Sequence, residues 1–169
     1  MTLVTAIPLT RMNQGVQGDV SRQSQSQIEA QVFGATAFPQ YGLAGKLVSG
    51  LFIPPAATAD PIYGLLVRPM PITDLTGTEG IGTAVPQTSG ICNVLTKGYL
   101  IVNVQAGTAV AGGAVYVRFQ SPSGSIVLGG IEGTTSANNY ALTNARFTTG
   151  VTDASGNTEI YFDNTGVHA

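Results

Sequence analysis

Residues that could carry out catalysis or bind a metal are few in this sequence. The chain has a single histidine, His168, and a single cysteine, Cys92. A Ser-His-Asp or Cys-His site would need His168 as its base, and a residue one position from the end of the sequence is not expected to be held in place for catalysis. Two such residues are also too few for a His/Cys metal site. Cys92 lies in a strand pattern and is expected to be a small buried residue.

A short acidic stretch resembles a calcium-binding loop. Asp, Ser, Asn and Glu alternate from position 153 to position 159 around Gly156. The spacing does not match the twelve-residue calcium loop, and Asp-Ala-Ser-Gly-Asn is typical of a hairpin turn. Glu159 and Asp163 could also form an acid/base pair, although carboxylates at strand ends are usually just solvated.

The segment Gly77–Gly82 is rich in glycine but has no lysine and no following helix, both of which a phosphate-binding loop needs. A flexible loop is the simpler interpretation. We therefore predict no catalytic residue, no cofactor-binding residue and no metal ligand, and we expect that the protein is not an enzyme.

The elements of the chain are clearest from Gly90 to Gln120, where apolar and polar residues alternate as in β-strands. Lys97-Gly98 is predicted to be a tight connection, because glycine adopts positive φ without strain. Tyr99 to Val117 is uncharged, but Asn, Gln, Thr and Gly interrupt it and its period is two, so a membrane helix is not predicted. The predicted strands are Ile91–Thr96, Gly98–Val104 and Ala114–Phe119.

Further short strands are separated by turns rich in Gly, Pro and Asn, and no long helical pattern is present. This arrangement predicts an all-β protein, a single β-sandwich or jelly-roll-like barrel formed by residues 46–169. The additional predicted strands are Lys46–Ile53, Ile62–Arg68, Ser125–Leu128 and Thr158–Phe162, and Tyr140–Thr149 is predicted to be irregular at first and then a strand.

Residues 1–45 differ from the rest of the chain. Ser21–Gln31 is polar, and only Ile28, Val32 and Phe33 offer apolar side chains to bury. A short helix and an extended arm fit this stretch equally well. A segment with so few apolar residues cannot fold alone, so we predict an extended N-terminal arm that docks on neighbouring subunits.

The composition limits the classes of partner. Charged residues make up 9% of the chain, against about 25% in typical globular proteins. This scarcity favours a surface covered by copies of the chain or by a partner; a monomer coated with uncharged polar residues is the alternative. The net charge is −2 and basic residues are not clustered, so no nucleic-acid or membrane partner is expected.

Several short motifs occur in one order along nearly the whole chain. They are Gly15–Arg22, Val32–Gly34, Gly90–Val94, Lys97–Val102, Val110–Arg118, Asn144–Thr149 and Glu159–Phe162. In this order they resemble the motifs of capsid cement (decoration) proteins of tailed bacteriophages. Two segments, Pro54–Asp60 and Ile72–Ser89, depart from the pattern of that family.

The resemblance implies a structural protein of the virion, bound to the outer surface of the capsid. It implies contact with the major capsid protein and with other copies of the chain, as a homodimer or homotrimer. Such a protein holds neighbouring shell subunits together against internal pressure and needs no cofactor. The residues expected at the capsid interface are Arg11, Arg22, Ile28 and Phe33, with Arg22 in an ion pair and Phe33 as an apolar contact.

A fibre-borne or secreted β-sandwich that binds carbohydrate or a host surface is the main alternative. It would share the low charge and the strand pattern, but it should expose clustered aromatic rings for stacking on sugars. The chain has no tryptophan and its six tyrosines are scattered, so the cement protein is the preferred hypothesis.

Overall fold

The computed structural model describes residues 14–58, 60–69 and 85–164. Arg11, His168, the glycine-rich Gly77–Gly82 and most of the Ile72–Ser89 link lie outside the described residues. The described parts contain no α-helix; they form a short 3₁₀ helix, Gln23–Gln25, and nine β-strands. The strands are β1 Gln27–Phe33, β2 Ala44–Val48, β3 Leu51–Ile53, β4 Gly64–Val67, β5 Ile91–Ala106, β6 Ala114–Arg118, β7 Ile131–Glu132, β8 Asn139–Phe147 and β9 Asn157–Asp163.

The long strand β5 belongs to two closed rings of strands. Its first half pairs with β1 on one edge and with β4 on the other, and β3 and β2 complete the first ring. Its second half pairs with β9 and β7, and β6 and β8 complete the second ring. The all-β class is therefore confirmed and the pairing closes as in a barrel, whereas the strand order of a jelly roll is not confirmed.

The described residues form two apolar cores, and the larger one includes residues of both rings, such as Leu65 and Leu100. Phe33, Phe38 and Phe52 are buried in the first ring, and Phe38 stacks on Phe52 with ring centroids 5.0 Å apart. The larger core also includes Val117 and Phe162, among others. Strand β4 is buried along its whole length, since Leu65 belongs to the larger core and Leu66 to the smaller. A strand that is covered on both faces typically has an unbroken apolar sequence. Gly-Leu-Leu-Val is such a sequence.

The predicted connection at Lys97-Gly98 is wrong, because β5 runs unbroken for 16 residues. Gly98 does adopt a positive φ of +125°, but it does so within the strand. A Cβ atom there would lie 2.6 Å from the Cα of Ser26. The glycine therefore permits the close approach of the segment that leads into β1 and is not the sign of a turn.

The predicted strand Lys46–Ile53 is two strands, β2 and β3, joined by a hairpin. Ser49 and Gly50 both have positive φ, +51° and +78°, as a two-residue turn of type I′ requires. Ser-Gly gives a weaker signal for this turn than Asn-Gly does. The predicted strand Ser125–Leu128 is also wrong, since only an isolated bridge joins Ile126 to Ser123.

The described part of the predicted arm is packed against its own chain. Gly18 donates to the carbonyl of Ile101 at 2.8 Å, and Arg68 holds Asp19 with two hydrogen bonds of 2.6 and 2.8 Å. Strand β1, which follows, belongs to the first ring. An arm is therefore not confirmed, and docking of residues 1–45 on neighbouring subunits stays a prediction.

Candidate interaction site

Four exposed apolar side chains form a row across the first ring, which we call the apolar row. Val48 lies opposite Leu51, Leu51 beside Val32, and Val32 opposite Ile91. Directly paired residues point to the same face of a sheet. Ile91 is 74% exposed and each of the others is more than 40% exposed. The row is therefore an uncharged apolar surface that crosses four strands.

Strand β1 extends this surface along the chain. Residues 28, 30 and 32 alternate with residues 29 and 31 and so share the outer face, and Ile28 and Ala30 are exposed like Val32. The inner face is polar: Gln31 donates to the Tyr63 hydroxyl at 3.0 Å, and that hydroxyl donates to Glu29. Burial and the neighbouring Glu29 raise the pKa of Tyr63 to about 12. The usual arrangement, apolar inside and polar outside, is reversed along β1 as far as Gln31, and Phe33 at the end of the strand is the apolar residue on the inner face.

A second surface feature lies on the second ring, where two arginines flank two tyrosines. The Arg22 guanidinium carbon is 4.1 Å from the centroid of the Tyr99 ring, and the Tyr99 and Tyr161 centroids are 5.0 Å apart. The Arg146 guanidinium carbon is 4.5 Å from the centroid of Tyr161. Arg146, Tyr161 and Tyr99 are direct partners on β8, β9 and β5. We call these four side chains the arginine–tyrosine ladder.

The Arg22 end of the ladder is neutralised within the chain. Arg22 donates to both oxygens of Glu159, at 2.8 and 3.3 Å, and Ser21 and Thr148 donate to the same carboxylate at 2.5 and 2.6 Å. Burial raises the pKa of Glu159, but the hydrogen bonds from Ser21, Thr148 and Arg22 outweigh that effect and leave the pKa below its ordinary value. This carboxylate is ionised at neutral pH and is saturated with donors.

A second ion pair lies beside the ladder. Lys97 Nζ is 3.0 Å from Asp163 Oδ2, and the Tyr161 hydroxyl donates to the same oxygen at 2.9 Å. The hydrogen bond and the charge of Asp163 raise the pKa of Lys97, and the hydrogen bond to Asp163 also raises the pKa of Tyr161. Arg146, at the other end of the ladder, has no ion pair with any described residue.

The acidic turn after Val151 is a hairpin turn, as predicted. Oδ1 of Asp153 accepts the backbone N–H groups of Ser155 and Asn157, both at 2.9 Å, and its Oδ2 accepts that of Gln14 at 3.2 Å. Within residues 14–58, 60–69 and 85–164, no group of three His, Cys, Asp or Glu side chains is placed to hold a metal ion. The same residues contain no helix that is long and apolar enough to cross a membrane.

Comparison with known proteins identifies the family of this chain. Residues 4–162 match the family model described as XM1 gp53 minor capsid protein. The chain belongs to this family. Its fold is also similar to a chain in the solved structure described as the capsid of Myoviridae Phage XM1. The TM-score is 0.63, the sequence identity is 22%, and the match covers 87% of this chain and 89% of that chain. At this identity the likeness shows a shared fold. No curated protein sequence matches the chain.

The resemblance to capsid-associated phage proteins is thus confirmed, and the family that the chain matches is one of minor capsid proteins. Membership supports a structural role in the virion.

The predicted interface residues of this minor capsid protein lie in different places. Ile28 is exposed beside the apolar row, and Arg22 belongs to the ladder. Phe33 is buried in the core of the first ring, so a contact of its ring with another protein stays a prediction. Arg11 lies outside the described residues. The buried Phe33 therefore does not share an exposed surface with Ile28 and Arg22.

Sequence reasoning missed the apolar row and the arginine–tyrosine ladder. The alternation along β1 was visible, but both of its faces contain apolar residues, and only the buried Phe33 determines which face is inside. The ladder depends on the register of three strands that are distant in sequence. No local signal in the sequence reports that register.

Proposed function

We propose that this minor capsid protein binds the outer surface of the phage capsid and holds neighbouring major capsid subunits together against internal pressure. The observation that carries the proposal is the apolar row, an uncharged surface across four strands of the first ring. Large apolar surfaces left exposed on a folded chain are typical of interaction sites. A structural role of this kind requires no reactive group and no cofactor.

The row suits a clamp because its contacts are modest and numerous. Burial of one half-exposed Val, Leu or Ile side chain is worth roughly 1 kcal/mol. A single copy would therefore bind weakly through this surface alone, whereas a homodimer or homotrimer would engage several shell subunits at once and gain avidity. We propose such an oligomer, with the row of each copy on a different major capsid subunit.

The test is binding of the purified chain to expanded capsids that lack it. Wild-type protein should co-sediment with saturable stoichiometry and raise the temperature at which filled capsids rupture. Electron microscopy of decorated capsids should show the added density on the outside. Ile91→Asp places a charge in the row at a position that is 74% exposed, so the fold should tolerate it, and we expect at least roughly tenfold weaker binding.

Val110→Asp is the matched control. Val110 is 60% exposed and lies in the loop after β5, far from the row along that strand. The Val110→Asp variant should bind capsids as tightly as the wild type does. If wild-type protein binds no capsid, or binds without raising the rupture temperature, the cement proposal is wrong. Binding to a glycan array instead would favour an adhesion module.

A further inference from the structure

We infer that Arg146 receives a carboxylate of another capsid protein, with the arginine–tyrosine ladder as the platform that holds it ready. This inference rests on the proposed function, because it names a polar contact of the same capsid-bound protein. It concerns the second ring, whereas the apolar row lies on the first.

Arg146 is the one basic residue in the described parts of the chain that has no ion pair. Of the seven Lys and Arg residues, Arg11 lies outside the described residues. The other five are paired with carboxylates of the chain at 2.6 to 3.0 Å. Arg146 is exposed, and no described carboxylate lies within ion-pair distance of it. It therefore places one uncompensated positive charge at the β8 end of the ladder.

The ladder restricts the position of that charge. The Arg146 guanidinium lies over the Tyr161 ring, and Tyr161 is itself held by Tyr99 and by its hydrogen bond to Asp163. A guanidinium that stacks on a ring keeps its in-plane N–H donors free for a bidentate carboxylate. Because the side chain is already ordered, less conformational entropy is lost on binding. Arginine and tyrosine are also the residue types most common at interface hot spots.

The described carboxylates of the chain are all engaged. Five of the seven described carboxylates take part in the ion pairs. The other two accept hydrogen bonds: Glu29 from Tyr63 and Gln27, and Asp153 from three backbone N–H groups. Asp74 and Glu79 lie outside the described residues. A second copy thus offers no free carboxylate among its described residues, which favours a different protein as the source. A single cation in a chain of net charge −2 does not suit nucleic acid.

The experiment measures the affinity of the full chain for expanded capsids that lack it, at low and at physiological salt. Arg146→Ala should bind roughly tenfold more weakly and should lose part of the salt dependence of the wild type, because an ion pair weakens when salt screens it. Arg146→Lys keeps the charge but not the bidentate geometry, so its affinity should be intermediate. Tyr161→Ala, which removes the platform and no formal charge, should also weaken binding.

Lys97→Ala is the matched control. It removes one positive charge from the same face, but this charge is already paired with Asp163, so we expect less than a threefold change. Thermal unfolding of Arg146→Ala should match that of the wild type. If wild-type protein binds capsids and Arg146→Ala binds equally well with the same salt dependence, the inference is wrong and the cement function stands. If wild-type protein does not bind capsids, both this inference and the proposed cement function are wrong. If Arg146→Ala separates the oligomer in the absence of capsids, the carboxylate belongs to a second copy and the inference is overturned.

Discussion

At the scale of single residues, five of the six described Lys and Arg side chains form an ion pair with a carboxylate of the chain. The most buried pair is Arg118 with Glu132 in the second ring, where Arg118 donates to both carboxylate oxygens at 2.6 and 3.1 Å. Asn139 donates to the same carboxylate at 2.8 Å and to the carbonyl of Thr134 at 2.9 Å. Glu132 is only 1% exposed. A buried charge is tolerated when its partners are in place, and its isolation is costly.

We therefore predict that Glu132→Ala destabilises the fold by about 3–5 kcal/mol, because the Arg118 guanidinium is left buried without its counter-charge. Glu132→Gln keeps the shape and part of the hydrogen bonding, so its loss should be smaller. Denaturation in urea measures both values. Arg22→Ala breaks a pair whose arginine side chain is 49% exposed, and should cost less than about 1 kcal/mol. Equal losses for Glu132→Ala and Arg22→Ala would show that burial does not determine the strength of these pairs.

At the scale of elements, strand types were predictable and strand boundaries at glycine were not. Ile62–Arg68 and Thr158–Phe162 were predicted close to β4 and β9, since turn residues flank alternating or apolar runs. Gly98 and Gly50 show why the predicted strand boundaries near glycine were wrong. Both have positive φ, yet the first lies inside a strand where Ser26 approaches and the second lies in a turn. A sequence shows that a glycine is present, but not whether it permits a turn or a close contact.

A pair of glycines separates these two roles. Gly18, in the segment that runs beside β5, has a φ of +88°, and a Cβ there would lie 2.5 Å from the Cβ of Tyr41. Gly50 has a φ of +78° with nothing within 4 Å. We predict that Gly50→Ala costs about 1 kcal/mol, from the backbone alone. Gly18→Ala should cost about 3 kcal/mol, because overpacking is added. The midpoints of thermal unfolding compare them. Similar losses would mean that the segment moves away from Tyr41 without cost.

The candidate site was predictable only in part at this scale. Ile28 was expected at an interface and lies beside the apolar row. The row itself needs the parallel pairing of β1 with β3, and the ladder needs β8, β9 and β5 in register. Apart from the hairpin pair Val48–Leu51, both surfaces depend on pairing between residues 15 to 62 positions apart, and the pattern within one strand does not identify which strands pair with it.

At the scale of the whole molecule, the two rings share one strand, and this should make them unfold together. Strand β5 contributes side chains to both cores: Val94 lies in the smaller one and Leu95 in the larger. Leu95 is fully buried and is the Cα partner of Ile28 on one side and of Leu65 on the other. Neither ring can open without breaking the pairing of β5. For a protein proposed to hold capsid subunits together against internal pressure, a fold in which neither ring opens alone would be an advantage.

We predict that Leu95→Ala lowers the free energy of unfolding by about 2–5 kcal/mol and that the loss appears in both rings. Native-state hydrogen exchange tests this, because the slowest amides exchange through global opening. The amides of Phe52 in β3 and of Val117 in β6 should lose the same free energy of protection. Val110→Ala, at an exposed position, should leave the protection of both amides unchanged. If only the Phe52 amide exchanged faster, the first ring would open on its own, and β5 would then join two units that fold separately.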